Sequence, residues 1–339
     1  MATAPPRAHA CDRVLSMALY PWALTGPMLS VVANILGGRL AGDALDTTTF
    51  EPRPKAETMV YTGGPQATAN GKAVAVIPLH GVFAPRMNAL SDISGGATYE
   101  EASRALAEAM ATPEIGSIVL DIDSPGGSVL GASEFARQVL KARTQKRIIA
   151  QAHYEMCSAA YWIGACATEV VAAPSAMAGS IGVYSLHKDL SKALENRGVK
   201  LTYVSAGKFK VDGNEAEPLS ETAQARLQGL VDAHYARFVG DVAKGRGVPE
   251  SVVRAGFGQG TVMTADEAVA EGLIDGVMTL DETLARVLPS GTFASATALT
   301  GVAAPAPPRD TPQEPVRATG QDLAAQQRSL KRSLLALGM

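Results

Sequence analysis

"SIVLDIDSPGGSVLGASEFARQVLKARTQKRIIAQA", residues 117–152, decides how the chain folds. "SIVLDID" (117–123) is a short apolar run that ends in turn residues, the pattern of a buried strand. "DSPGGSV" (123–129) interrupts it with Pro125, Gly126 and Gly127. "SVLGASEFARQVLKART" (128–144) then carries apolar residues at helical spacing, and "RIIAQA" (147–152) is a second strand. Strand, glycine turn, helix and strand in that order make two parallel neighbours joined by a crossover.

The alternation extends in both directions. "AVAVIPLHG" (73–81) reads as a strand, and "TYEEASRALAEAMAT" (98–112) as a helix whose Thr98 and Glu101 form a capping box. Downstream, "EVVAAP" (169–174), "SIGVYS" (180–185) and "KLTYVS" (200–205) read as strands, with a helix near 188–198. A long helix runs from Ser220 to about Arg246. "TADEAVAEGLIDGVMTLDETLARVL" (264–288) reads as helix, glycine stop, short strand and helix. The fold class is α/β, a parallel sheet covered by helices with right-handed crossovers. Within 73–288 no repeat shows beyond this alternation.

The flanks differ. Residues 43–72 are polar and turn-rich and read as a linker. Residues 289–320 are rich in Ala, Thr and Pro, a disordered linker by composition, and 321–339 have the pattern of a short basic amphipathic helix. From Val14 to Gly38 there is no charged residue, and Arg7 and Arg13 precede the run. Pro21, Gly26 and Pro27 break it, so "YPWALTGP" (20–27) reads as a loop or helix boundary. Residues 1–42 are therefore expected to be an apolar docking segment rather than a signal or a membrane span.

Composition narrows the function. Of 339 residues 47% are apolar and 19% charged, enough for a full core. The net charge of −3 supplies no basic excess for a nucleic-acid partner. Cys11, Cys157 and Cys166 make no disulfide framework and fit a reducing compartment. No CxxC or Cys/His cluster points to a metal, and no cofactor is expected.

Two stretches could carry chemistry. The Gly126–Gly127 pair lets backbone N–H groups approach a phosphate or an oxyanion, and no GK[ST] follows to make a P-loop. "HYEMCSAAYWIGACATE" (153–169) holds Ser158 beside Cys157 among small and aromatic residues. A nucleophilic serine needs a base; His153 is too close in sequence to face Ser158 easily across a cleft, and His9, His80, His187 and His234 carry no recognisable context for it. Lys208 and Lys210 in "SAGKFKVDGNEAEPLS" (205–220) can serve if burial lowers a lysine toward neutrality. The ordinary fates of these features are a tight turn, a packed serine and a solvated surface charge. On the residues alone, none of the roles is assigned.

"DSPGGSV", then "SAAYWIGACATEVVAAPSAMAGSIGV" (158–183), then "GKFKVDG" (207–213), then "TADEAVAEGLIDGV" (264–277) resemble the signal peptide peptidase A family of serine peptidases. The likeness is greatest to its bacteriophage branch of prohead or head-maturation proteases and covers 73–288. It implies a Clp-protease/crotonase-like ββα superhelix with a mostly parallel sheet. It also implies a Ser–Lys dyad, with Ser158 as nucleophile and Lys210 as base. Lys208 is the rival, since alternate residues of an extended segment point the same way. The family pattern makes Ser180 a support for the lysine and the N–H groups of Gly127 and Ala159 the oxyanion hole, beside Gly126. "SAAY" stands where family members often have "SGGY", and Cys157 falls outside the motif register.

By this resemblance the chain is an endopeptidase acting on scaffold, portal or capsid proteins, or on itself. It would work as a homo-oligomer in a phage prohead or in host or bacterial cytoplasm. The competing expectations are a cellular peptidase of signal-peptide remnants, a crotonase-like acyl-CoA enzyme, and a catalytically silent capsid or scaffold component.

Overall fold

The strand–turn–helix–strand unit of 117–152 forms as its pattern requires. The computed structural model describes residues 21–26, 28, 57–63, 73–86, 96–288 and 293–298, and every described element lies in one unit, Met1–Leu299. In chain order the elements begin with β1 (Trp22–Leu24), β2 (Met59–Gly63), β3 (Ala73–His80), α1 (Tyr99–Ala111), β4 (Ile115–Ser124) and β5 (Gly126–Ser128). They continue with α2 (Ala132–Ala142), β6 (Arg147–Cys157), α3 (Ala159–Gly164), β7 (Glu169–Ala172), β8 (Met177–Gly179) and α4 (Ser191–Asn196). The last are α5 (Glu221–Arg246), α6 (Glu250–Ala255), β9 (Val262–Thr264), α7 (Ala265–Ala270), β10 (Gly276–Val277), α8 (Leu280–Val287) and β11 (Phe293–Ala298).

The main sheet runs in the order β10-β7-β6-β4-β3-β2-β11. From β10 to β3 every pairing is parallel, and β2 and β11 add antiparallel edge strands. This is the α/β architecture with a mostly parallel sheet that the resemblance implies. One face buries Ile118, Leu120, Ile122, Ile148 and Ala150 under the helices. The other buries Val74, Val76, Val119, Ile149 and Val171 under Leu284 and Leu288 of the C-terminal turns. The central strands are therefore apolar on both faces, and this is why they read as near-continuous runs rather than alternating ones.

The start of α1 has its expected cap. Thr98 Oγ1 accepts from the Glu101 N–H at 3.1 Å and donates to the Glu101 carboxylate at 2.9 Å. The long helix α5 is capped at Ser220 and ends at Gly247 in the left-handed conformation.

Several expectations need correction. The helix placed at 128–144 starts at Ala132, because Gly126–Ser128 is drawn into strand pairing with β1. The stretch 180–185 forms no strand, and β8 lies just before it at Met177–Gly179. The stretch 200–205 has no strand assigned among the described residues and is exposed throughout. "YPWALTGP" is not a loop: Trp22–Leu24 is a strand. The presumed linker 43–72 contains β2, and the presumed disordered 289–320 contains β11. The rest of both linkers, most of 1–42 and all of 321–339 lie outside the described residues.

One buried acid ties together the helices that carry the site. Asp241 on α5 is 1% exposed. Its carboxylate accepts from Ser133 Oγ of α2 at 2.7 Å and from Trp162 Nε1 of α3 at 3.1 Å, and pairs with Arg137 Nε at 3.1 Å. Trp162 also stacks on Phe238, with ring centroids 4.5 Å apart and planes 6° from parallel. Such stacking adds about 0.5–1.5 kcal/mol beyond the area it buries. Asp241→Ala leaves three donors without their acceptor, so unfolding stability is expected to fall by about 3–5 kcal/mol in urea titration. A loss below about 1 kcal/mol would show that the network is not a structural hub.

Candidate active site

Ser158 stands where β6 ends and α3 begins, at the C-terminal edge of the parallel sheet. This is where α/β sheets present ligand-binding loops. All six residues of α3 are buried, which accounts for the uncharged sequence around Ser158. The polar atoms of α3 are satisfied: Tyr161 Oη donates to the Leu273 carbonyl at 2.7 Å, and Trp162 Nε1 donates to Asp241.

Ser158 itself is the exception. It is 0% exposed, and its Oγ has no hydrogen-bond partner among the described residues. Its backbone sits at φ 56° and ψ −118°, and its side chain does not cap the helix. A non-glycine residue held there costs about 1–3 kcal/mol, and an unpaired buried hydroxyl costs about 1–3 kcal/mol more. Two costs at one residue make Ser158 the candidate nucleophile.

The turn is held by its neighbours. The Ser158 N–H donates to the Gly179 carbonyl at 2.7 Å, and Cys157 pairs with Gly179 in the parallel register of β6 and β8. Ser180 follows directly, at φ 55°, with its N–H bonded to the Thr261 carbonyl at 2.7 Å. The fold thus brings Ser180 beside the nucleophile position through paired strands.

The glycine turn closes the other side. At Gly126 (φ 109°) an added Cβ would lie 3.0 Å from both the Ala159 nitrogen and Ser158 Cβ, and 2.1 Å from the Ala23 carbonyl oxygen. At Gly127 it would lie 2.2 Å from the Phe83 carbonyl oxygen. Neither position admits a side chain. The Phe83 N–H donates to Gly126 O and Phe83 O accepts from the Ser128 N–H, so one edge of β5 is taken and the Gly127 N–H faces the other way. The first N–H groups of α3, Ala159 among them, have no partner within the helix. Gly126, Gly127, Ser158, Ala159 and Ser180 are therefore brought together.

The two lysines are not bonded to Ser158. Both are exposed, in a turn where the Lys210 N–H donates to the Gly207 carbonyl. The Lys208 ammonium lies 5.0 Å from the Phe209 ring centre, and the Arg226 guanidinium stacks on the same ring at 4.2 Å. Phe209 thereby rests this turn on the start of α5, and 5–6 Å is ordinary cation–π range.

Cys157 is chemically silent. Burial, with Glu155 nearby, pushes its thiol well above the ordinary cysteine range, so no thiolate forms at neutral pH. Its Sγ points at the Met177 carbonyl. Sequence reasoning missed Phe83, Gly179 and Tyr184, which act through backbone groups that any residue possesses. It also missed the strand pairing of Trp22–Leu24, whose signal was an uncharged apolar stretch. No group of His, Cys, Asp or Glu among the described residues is placed to hold a metal ion. No described helix is long and apolar enough to cross a membrane.

The chain is similar to several known proteins. Residues 141–289 match peptidase family S49. The chain is 30% identical over 250 residues to capsid assembly protease C of Escherichia phage lambda, covering 72% of this chain and 56% of that protein. It is 30% identical over 230 residues to head-tail preconnector protein GP5 of Enterobacteria phage P21, covering 66% and 45%. The chain thus spans about half the length of these relatives. Among solved structures, a ClpP1 mutant from Listeria monocytogenes aligns at TM-score 0.40 and 12% identity, over 62% of this chain and 94% of that one.

Ser158→Gly relieves both costs at the turn and removes no hydrogen bond of the hydroxyl. It is expected to raise unfolding stability by about 1 kcal/mol or more in urea titration. Unchanged or lower stability would mean that the turn is not strained.

Proposed function

We propose that the chain, whose residues 141–289 match peptidase family S49, is a serine endopeptidase with Ser158 as nucleophile. The observation that carries this reading is the buried, unpartnered Ser158 hydroxyl at a strained turn whose Cβ lies against Gly126, at the start of α3.

In the proposed reaction Ser158 Oγ attacks a peptide carbonyl carbon and its proton passes to neutral Lys210. The carbonyl π-pair moves onto oxygen, which accepts from the Gly127 and Ala159 N–H groups. One such donor typically lowers the barrier by about 3–4 kcal/mol. The tetrahedral adduct collapses, the C–N bond breaks, and Lys210 returns the proton to the leaving amine. Water, deprotonated by the same amine, then hydrolyses the acyl-enzyme. Ser180, one residue beyond the carbonyl that holds Ser158, is suited to orient Lys210.

Lys210 must lose its solvent to act as a base, and in the single chain it is exposed. Its segment supplies the means. Residues 197–210 are all exposed and include Leu201, Tyr203, Phe209 and Val204, the last 97% exposed. An exposed segment carrying four large apolar side chains fits a surface that another chain covers. We therefore take the working form as a homo-oligomer, in which covering this segment buries Lys210 and brings it to a Ser158. The names of the phage relatives favour proteins of capsid assembly as substrates. Host cytoplasm or a prohead is the corresponding place of action.

The test is cleavage of an unfolded protein by wild type, Ser158→Ala, Lys208→Ala and Lys210→Ala, read by mass spectrometry. Wild type and Lys208→Ala are expected to cut, with the other two slower by about 10²-fold or more. Val204→Asp is expected to reduce assembly size in sedimentation and to slow cleavage with it. Full activity in Ser158→Ala removes the nucleophile assignment, and full activity in Lys210→Ala moves the base elsewhere. A monomeric, fully active wild type contradicts the oligomer.

A further inference from the structure

The groove in front of Ser158 is already filled, and the chain fills it itself. Strand β1 pairs antiparallel with β5, with Trp22 opposite Ser128, Ala23 opposite Gly127 and Leu24 opposite Gly126. On its other edge, Trp22 exchanges both backbone hydrogen bonds with Tyr184, at 2.8 and 3.0 Å. The segment is therefore gripped from both sides. Trp22, Ala23, Leu24 and Thr25 are each buried, Ala23 completely.

The register aims one carbonyl at the nucleophile. The Thr25 N–H donates to the Pro125 carbonyl at 3.1 Å, which makes that a hydrogen-bonded pair. In an antiparallel ladder such pairs alternate, so the next is Ala23 with Gly127, and the Gly127 N–H faces the Ala23 carbonyl. The geometry around Gly126 agrees independently. Its missing Cβ marks a point 2.1 Å from the Ala23 oxygen and 3.0 Å from both the Ala159 nitrogen and Ser158 Cβ. The Ala23 carbonyl thus lies in the place that the proposed mechanism reserves for a scissile carbonyl.

We propose that residues 22–25 are a tethered substrate strand and that the bond between Ala23 and Leu24 is the chain's own cleavage site. This rests on the serine peptidase reading. Ser158 Oγ bonds to the Ala23 carbonyl carbon, and the bond from that carbon to the Leu24 nitrogen breaks. The Leu24 amine leaves with the proton first taken from Ser158, and water releases the Ala23 carboxylate. Cleavage separates the residues up to Ala23 from the peptidase domain and frees the groove for another chain. A small side chain at the first position before the cut follows from the fully buried Ala23.

The experiment follows the intact mass and N-terminal sequence of the purified full chain over time, while the same samples are given an unfolded protein substrate. Wild type is expected to lose residues 1–23 and to show a new N-terminus at Leu24. Ser158→Ala is expected to keep the bond. So is Leu24→Pro, which places a tertiary amide at the scissile position and removes none of the strand's stated hydrogen bonds. If wild type cuts the added substrate while its own bond stays whole, this inference falls and the peptidase reading stands. If neither is cut, both fall. A Leu24 terminus that appears equally in Ser158→Ala, or cutting of Leu24→Pro at the same bond, also overturns the proposal.

Discussion

At Ser158 the chain passes from β6 into α3 with a backbone that L-residues rarely adopt, and the surrounding structure is arranged to hold it there. The Gly179 carbonyl takes the Ser158 N–H, so β8 fixes the end of β6. The buried helix α3 cannot slide, because Tyr161 and Trp162 are bonded at opposite sides to Leu273 and Asp241. Asp241 in turn connects α5 to α2, which follows the glycine turn that faces Ser158. The strain at one residue is thus over-determined by sheet register on one side and helix packing on the other.

The same constraint selects among possible nucleophiles. Cys157 and Ser158 are adjacent, but Cys157 Sγ lies against the Met177 carbonyl while Ser158 Cβ lies on the side of Gly126. Burial keeps the thiol protonated, since a thiolate there would lose its hydration without a compensating cation. The serine needs no standing charge; it needs a base at the moment of attack. In the proposed mechanism the base sits on an exposed segment, so the event that covers this segment would also desolvate Lys210.

Much of this was legible in the sequence, for identifiable reasons. Strands buried on both faces read as apolar runs, and β3, β4, β6 and β7 were found that way. A capping pair placed the start of α1, and the long helix expected from Ser220 forms as α5. What failed depends on pairing between distant segments. Gly126–Ser128 looked like a turn running into a helix, and only its ladders to Phe83 and to Trp22–Leu24 make it a strand. Pro21 and Gly26 flank Trp22–Leu24 and suggested a loop, although prolines beside a short edge strand are ordinary. The stretch 200–205 has strand composition but no strand partner among the described residues. For the site, residue types and motif resemblance marked Ser158, Gly127 and Lys210. The roles of Phe83, Gly179 and Tyr184 lie in backbone atoms and leave no sequence signature.

The most direct measurement of the central claim is the site of covalent labelling by a serine-directed fluorophosphonate, mapped by peptide mass spectrometry on the full chain. The account predicts one adduct, on the Ser158 hydroxyl, and none on Cys157. An adduct on another residue with Ser158 unmodified would contradict it, because the strained and unpartnered hydroxyl would then not be the reactive group.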